Sequence, residues 1–404
     1  MALGSTNLVP RNGVEHMRRL LCLSLCLVFC ASVSHAQKQP RTAEDFYNRA
    51  LDKQAQQDLD GALADYDQAL TRKPDSLTFV TIHINRANLL MSKGDLKAAL
   101  AGLDQAVAAN PTDLRTFYNR GIVRAELGQW DEAIADFNAT LALKPDFSMG
   151  YNNRGNARKA KGDTDGAIAD YDNAIKHDPE GALGYFNRAA ARQEKNELDK
   201  ALADYTQAIT IAPKLAEGYY NRGIVRQLMR NLEGAVADLN TAIELKPDEA
   251  DFYVARGNAL LARGDFDRAV ADFTKALELN PQHADAYTNR GIARKTKKDT
   301  PGALADFDAA IAANPRDAVA YVNRGTLREE GGDQKGALAD FNMAIAINPS
   351  LAQAYANRGV IRLQQGKVEQ AEQDIKQAIA LDAALKPSLE KYLAEMKRYR
   401  AKKP

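Results

Sequence analysis

Cysteine is nearly absent from this chain: Cys22, Cys26 and Cys30 are the three in 404 residues, and no thiol follows residue 30. Disulfide staples, cysteine zinc sites and a thiol nucleophile are therefore excluded from the body of the protein. Histidine is almost as scarce. Beyond residue 36 only His83, His177 and His283 occur, too far apart for metal-ligand spacing, and no metal or other cofactor is expected. No glycine-rich phosphate loop is present, and the chain reads as a non-enzyme. An excess of one charge is missing as well. With 54 Lys+Arg against 53 Asp+Glu, a net charge of +1 argues against a chain-wide grip on nucleic acid or anionic membrane. The 45% hydrophobic content suffices to bury a core, which argues against disorder.

Long apolar runs are limited to one, Leu20 to Val33. It follows Met17-Arg18-Arg19 and precedes Ser34-His35-Ala36 and the polar Gln37-Lys38-Gln39. A basic start, a short apolar stretch and small residues before a break describe a secretory signal peptide, with cleavage expected after Ala36. A lipoprotein reading through Cys30 is disfavoured by bulky Phe29 before it. Residues 1–16 lack this character, so Met1 and Met17 both stand as candidate starts. The mature chain would carry 51 basic and 52 acidic residues and no cysteine. It would have no integral membrane span and be exported, to the periplasm of a Gram-negative bacterium or to the outside.

Length alone suggests two or three domains at about 150 residues each, but a fixed period overrides that estimate. Pro111, Pro145, Pro179, Pro213, Pro247, Pro281, Pro315 and Pro349 lie 34 residues apart, and Pro74 precedes the first by 37. Arg49, Arg86, Arg120, Arg154, Arg188, Arg222, Arg256, Arg290, Arg324 and Arg358 obey the same ruler. The period predicts ten copies: 43–76, 80–113, 114–147, 148–181, 182–215, 216–249, 250–283, 284–317, 318–351 and 352–385. Residues 77–79 form an insertion, and 386–404 a capping helix from Pro387 with a basic tail (Lys397, Arg398, Arg400, Lys402, Lys403). Repetition at this spacing signals a solenoid of supersecondary units rather than separate globular domains.

Each copy reads as two helices around a turn. In the third, 114–127 and 131–144 are helical stretches about Gly128-Gln129, and Pro145 stops the second because proline lacks an amide donor. Glycine holds the turn in six copies (Gly94, Gly128, Gly162, Gly264, Gly332, Gly366), and Asp95, Asp163, Asp265 and Asp333 follow as helix caps. One position is alanine in all ten copies, from Ala62 and Ala99 to Ala371. Seven residues later it is alanine again except at Thr140, and each repeating arginine is followed by Gly or Ala. Small residues at fixed offsets mark close helix contacts. Between them stand bulky core residues such as Tyr66, Phe137, Tyr171, Tyr205, Phe273, Phe307 and Phe341.

The period, the three small-residue offsets, an early aromatic (Phe117, Tyr151, Tyr185, Tyr219) and the terminal proline resemble the tetratricopeptide repeat family. The resemblance implies an all-α, right-handed superhelical solenoid with first helices on the concave surface and second helices on the convex one. It also implies an interaction scaffold.

Two columns depart from the usual family pattern. The repeating arginine stands where leucine is customary, with a second basic residue four places on (Arg124, Arg158, Arg192, Arg226, Arg294, Arg328, Arg362). An aspartate lies sixteen residues beyond it (Asp65, Asp136, Asp170, Asp204, Asp238, Asp272, Asp306, Asp340, Asp374), broken by Gly102 in the second copy. Across an antiparallel hairpin these positions face each other, predicting a structural Arg–Asp ladder in preference to an anion-binding stripe. Its expected rungs include Arg120–Asp136, Arg154–Asp170, Arg188–Asp204, Arg222–Asp238, Arg256–Asp272, Arg290–Asp306 and Arg324–Asp340. The second column is asparagine before each arginine: Asn48, Asn85, Asn119, Asn153, Asn187, Asn221, Asn289, Asn323 and Asn357, with Ala255 the exception. Asparagine is a poor helix former, and its carboxamide can both donate to and accept from a peptide backbone. The resemblance places this column on the concave surface, similar to the asparagine ladder of the family's nucleocytoplasmic glycosyltransferases. Peptide binding is favoured over bonding within the solenoid.

Tyr47, Tyr118, Phe186 and Tyr220, one place earlier, are candidate groove aromatics; later copies hold Val254, Thr288, Val322 and Ala356 there. A carboxylate clamp is unsupported, since the second helical place reads Glu217, Asp251 and Asp285 with Arg115 the basic one. Asp163-Thr164-Asp165-Gly166 and the sequon Asn138-Ala139-Thr140 read as an ordinary turn and an accident of sequence. The sequence thus predicts an exported adaptor that binds an extended protein segment. The alternative is a structural envelope protein that self-assembles into homo-oligomers.

Overall fold

The computed structural model describes residues 41–401, so the expected signal peptide (1–36) lies outside the described residues. The described residues contain 21 α-helices and no strand. Packing sorts them into two compact units that meet in sequence between Pro179 and Glu180.

The first unit holds four hairpins: α1 (Ala43–Ala55) with α2 (Leu59–Thr71), α3 (Ser76–Ser92) with α4 (Leu96–Ala109), α5 (Leu114–Glu126) with α6 (Trp130–Leu143), and α7 (Ser148–Ala160) with α8 (Thr164–His177). The second holds six. These are α9 (Ala182–Glu194) with α10 (Leu198–Ile211), α11 (Ala216–Leu228) with α12 (Leu232–Leu245), and α13 (Ala250–Arg263) with α14 (Phe266–Leu279). They continue with α15 (Ala284–Thr296) and α16 (Thr300–Ala313), α17 (Ala318–Glu330) and α18 (Gln334–Ile347), and α19 (Ala352–Gln364) and α20 (Val368–Leu381). A closing helix, α21, spans Lys386–Ala401.

Local chemistry sets these boundaries. Asp58, Asp95, Asp163, Asn231, Asp265, Asp299 and Asp333 each accept the backbone N–H three residues on, capping second helices. The aspartates of Asp163-Thr164-Asp165-Gly166 therefore belong to an ordinary helix start. The turn before each cap needs one left-handed residue. The six turn glycines supply it with φ between 74° and 93°, while Gln57, Asn196, Arg230 and Lys298 adopt φ between 59° and 64° without glycine's freedom. From the second hairpin to the ninth, second helices end on the residue before proline, which the ring forces into extended backbone: Lys144 has φ −141° and ψ 89° ahead of Pro145.

The alanine column is fully buried in both units, from Ala62 to Ala371, because second helices press their backbones against first helices there. A Cβ added to Gly121 would lie 2.7 Å from the Phe137 ring, and the same clash recurs at Gly155 with Tyr171 and Gly291 with Phe307. Buried tyrosines keep a partner: the Tyr66 hydroxyl donates to Gln54 and that of Tyr171 to Asn156. Thr140, the odd member of its column, is buried and donates to the Asp136 carbonyl, so its hydroxyl is satisfied. At the C-terminal end, Leu389 of α21 packs on Ile375, Ala378 and Ala356, covering the last hairpin. No described helix is long and apolar enough to cross a membrane.

Candidate interaction face and its two ladders

The arginine column is fully engaged. Nη2 of Arg49, Arg120, Arg154, Arg188, Arg222, Arg256, Arg290, Arg324 and Arg358 lies 2.5–2.7 Å from the aspartate of the same hairpin. Nε adds a second bond, as at Arg120–Asp136 and Arg324–Asp340, giving a bidentate fork whose aspartate is buried. The second basic residue closes on the same carboxylate, as Arg124 does on Asp136 and Arg362 on Asp374. An aromatic three places before each of these nine arginines lies under its guanidinium, 5.3–5.8 Å away, from Phe46 to Tyr355. Burial works against the Asp65 charge, but bonds from Arg49 and Lys53 prevail and hold its carboxyl below the usual range. The Asp340 bond likewise raises Arg324, against burial.

A third contact ties successive hairpins together. Nη1 of Arg120, Arg154, Arg222, Arg256, Arg290, Arg324 and Arg358 reaches back 2.7–3.2 Å to Asp104, Asn138, Thr206, Asn240, Thr274, Asp308 and Asn342 on the preceding second helix. These acceptors sit two residues beyond each aspartate-column position. They escaped the sequence reading, although the signal is there: the place holds Asp, Asn or Thr in nine copies and Lys376 in the last, which no arginine follows. Asn138, the sequon asparagine, is one of them.

The asparagine column behaves differently. Most of its amide nitrogens make one hydrogen bond inside the protein. Asn85 donates to the Tyr47 hydroxyl and Asn153 to the Tyr118 hydroxyl, each on the preceding first helix. Asn289 donates to Asn258 and Asn357 to Thr326 in the same sense. Asn119, Asn221 and Asn323 donate to backbone carbonyls one turn back in their own helices, at Arg115, Glu217 and Val319. Only the amide nitrogen of a carboxamide can donate to a carbonyl, so these bonds fix which end of each side chain is which. The Oδ1 atoms of Asn85, Asn119, Asn153, Asn221, Asn289 and Asn323 take no hydrogen bond among the described residues, and all six side chains are half-buried. Asn357 Oδ1 accepts from Gln353, Asn187 is buried, and Asn48 is exposed and bonded to none of the described residues.

The candidate aromatics are half-buried and packed. Tyr118 meets Phe147 edge-on at 5.0 Å, and burial pushes its hydroxyl up to about 12. Phe186 packs on Tyr205 at 5.6 Å, Tyr47 lies 6.1 Å from Tyr66, and Tyr220 stacks on Phe252 at 4.9 Å. Among the acids of the second helical place, Glu217 pairs with Lys246 and Asp251 with His283 at 3.1 Å. Local desolvation and the carboxylates of Asp317 and Asp251 push the exposed Asp285 up against the pull of His283. Arg115, the basic residue at that place, is held by its own cap Asp113 at 2.6 Å. No group of histidine, cysteine and acidic residues able to hold a metal occurs among the described residues.

Comparison with known proteins agrees with this architecture. Family models described as Tetratricopeptide repeat match residues 87–149, 187–258, 288–352 and 352–385, and one described as TPR repeat matches 155–195 and 257–298. A solved tetratricopeptide repeat protein from Parabacteroides merdae is similar at 20% identity and TM-score 0.51, over 62% of this chain and 98% of that one. The Cut9–Hcn1 hetero-tetramer of the APC/C is similar at 14% identity and TM-score 0.51, over 83% and 76%. No curated protein matches the sequence. At these identities the structural likeness speaks to fold.

Proposed function

This chain belongs to the tetratricopeptide repeat family, a fold that serves as a protein–protein interaction scaffold, and from that premise we propose that it is an adaptor for an extended protein segment. The segment lies along the face of the first helices within a unit, where the asparagine column stands. The observation that carries this reading is the asparagine column, in which one amide N–H of most members is bonded internally while open Oδ1 acceptors recur at the repeat spacing. Such a column accepts hydrogen bonds from backbone N–H groups of any sequence. The half-exposed sides of Tyr47, Tyr118, Phe186 and Tyr220 add adaptable apolar contact, and the acids at Glu217, Asp251 and Asp285 favour a neutral or basic segment. The leader-like segment ending at Ala36 supports export to the cell envelope as the place of action.

Photoreactive residues at positions 221 and 323 test the proposal in the envelope. The adaptor reading predicts a protein adduct at both, lost on competition with the captured segment. No adduct from either position would overturn it. Light scattering on the mature protein addresses self-assembly: a monomer fits the adaptor, and a concentration-dependent oligomer with adducts only to itself fits the structural alternative.

A further inference from the structure

The second hairpin departs from the other nine at two places that touch each other. Where they carry aspartate under the arginine fork it has Gly102, and where they carry tyrosine or phenylalanine under the guanidinium it has His83. The imidazole moves into the space a carboxylate would fill: a Cβ on Gly102 would lie 3.0 Å from His83 Nδ1. His83 is 4% exposed, packs edge-on against Phe79 at 4.4 Å, and neither ring nitrogen has a hydrogen-bond partner among the described residues. Arg86, deprived of a buried carboxylate, turns to exposed Asp67 on α2 at 2.7 Å.

We propose that His83 is an acid-sensitive latch: when it takes a proton, the terminal hairpin α1–α2 is released from α3. A protonated imidazole here would be a buried cation beside Arg86 with both N–H groups unsatisfied, which a protein interior tolerates poorly. The charged groups around it offer no remedy. Arg86 on its own helix repels it. On α2, Asp67 is taken by Arg86, and Asp65 by Arg49 and Lys53. On α4, Gly102 presents nothing, and Asp104 is engaged by Arg120 and Arg124. Burial, with Arg86 assisting and Asp67 opposing, lowers the imidazole to about 4.

The open state takes the proton at its ordinary value near 6.5, so the stability of the closed joint falls as pH drops from 6.5 towards 4. Asp65, whose carboxyl is depressed, fails only below that window. The joint is the cheapest place to open because a terminal hairpin contacts one neighbour. Release would uncover Ile82 and Leu89, which now pack with Tyr66 and Ala69, and would break the Asn85–Tyr47 bond. Acid would thus shorten the asparagine face by its first copy.

Hydrogen exchange on the full chain at pH 7 and pH 4.5, corrected for intrinsic rates, tests this. Protection in α1, α2 and the start of α3 should fall roughly 50- to 100-fold more than in α5–α8. The double variant His83→Tyr/Gly102→Asp, which installs the pattern of the other hairpins, should abolish the difference. Uniform loss across the first unit, or an unchanged difference in the variant, would overturn the latch. Direct titration of the His83 imidazole by NMR in the unmodified protein decides independently of the variant's folding. A signal neutral down to about pH 5 supports the latch, and a midpoint near 6.5 in the intact fold contradicts it.

Discussion

The two columns stand next to each other in sequence, Asn then Arg, yet the fold uses them in opposite ways. The arginines are saturated: each of nine forks a buried aspartate and lies over an aromatic ring, and most reach back to the preceding hairpin. The asparagines are half used, most of their nitrogens bonded once internally and most of their oxygens left open. Recurrence at the same period therefore does not distinguish structure from function. Residual hydrogen-bonding capacity does, because a saturated column has nothing left to offer a partner, whereas an open acceptor on a half-buried face invites one.

The largest expected effect breaks the saturated side. Asp204→Ala leaves Arg188 and Arg192 facing a carboxylate-free pocket and should cost about 2–4 kcal/mol locally, after allowance for partial solvent access of the arginines. Thermal melting should show it clearly; a melting curve no different from that of Asp285→Ala would reject the ladder as a stabilising element. Smaller is Thr274→Val, which removes the acceptor of Arg290 Nη1 while keeping shape. About 1 kcal/mol should be lost, measured by denaturant melting, and no loss would mean the backward contact is incidental.

The smallest effect has the opposite sign. The Asp285 carboxyl is raised, so the folded state resists its ionisation and carries that penalty at all pH values above the ordinary range. Asp285→Asn should raise the melting temperature slightly at pH 7 and not at pH 3.5. A gain at both would show that the carboxylate neighbours are not its cause.

Much of this was legible before the fold. Prolines at constant spacing, the alanine at ten positions and the Gly or Ala after each arginine dictate paired helices, because only small residues allow the observed approach of α6 to α5 at Gly121. The Arg–Asp register followed from hairpin geometry alone. The direction of each carboxamide did not. Asn119, Asn153 and Asn289 look identical in sequence but donate to a carbonyl, a hydroxyl and another amide, according to which side chain the preceding helix presents. Nor did the packing of Tyr118 on Phe147 or Tyr220 on Phe252, since both partners fall outside the aromatic column. The His83–Gly102 exchange was visible as a broken column, but its meaning required seeing that the imidazole fills the gap without a partner.

The central claim is that the asparagine face binds while the arginine seam holds the fold. The most direct test is the double variant Asn221→Ala/Asn323→Ala, with affinity for a captured segment and melting temperature measured on the same preparation. The account predicts at least about a tenfold loss of affinity, the worth of one or two neutral hydrogen bonds, with melting nearly unchanged. Lower melting with undiminished affinity would contradict it and assign the column to the scaffold.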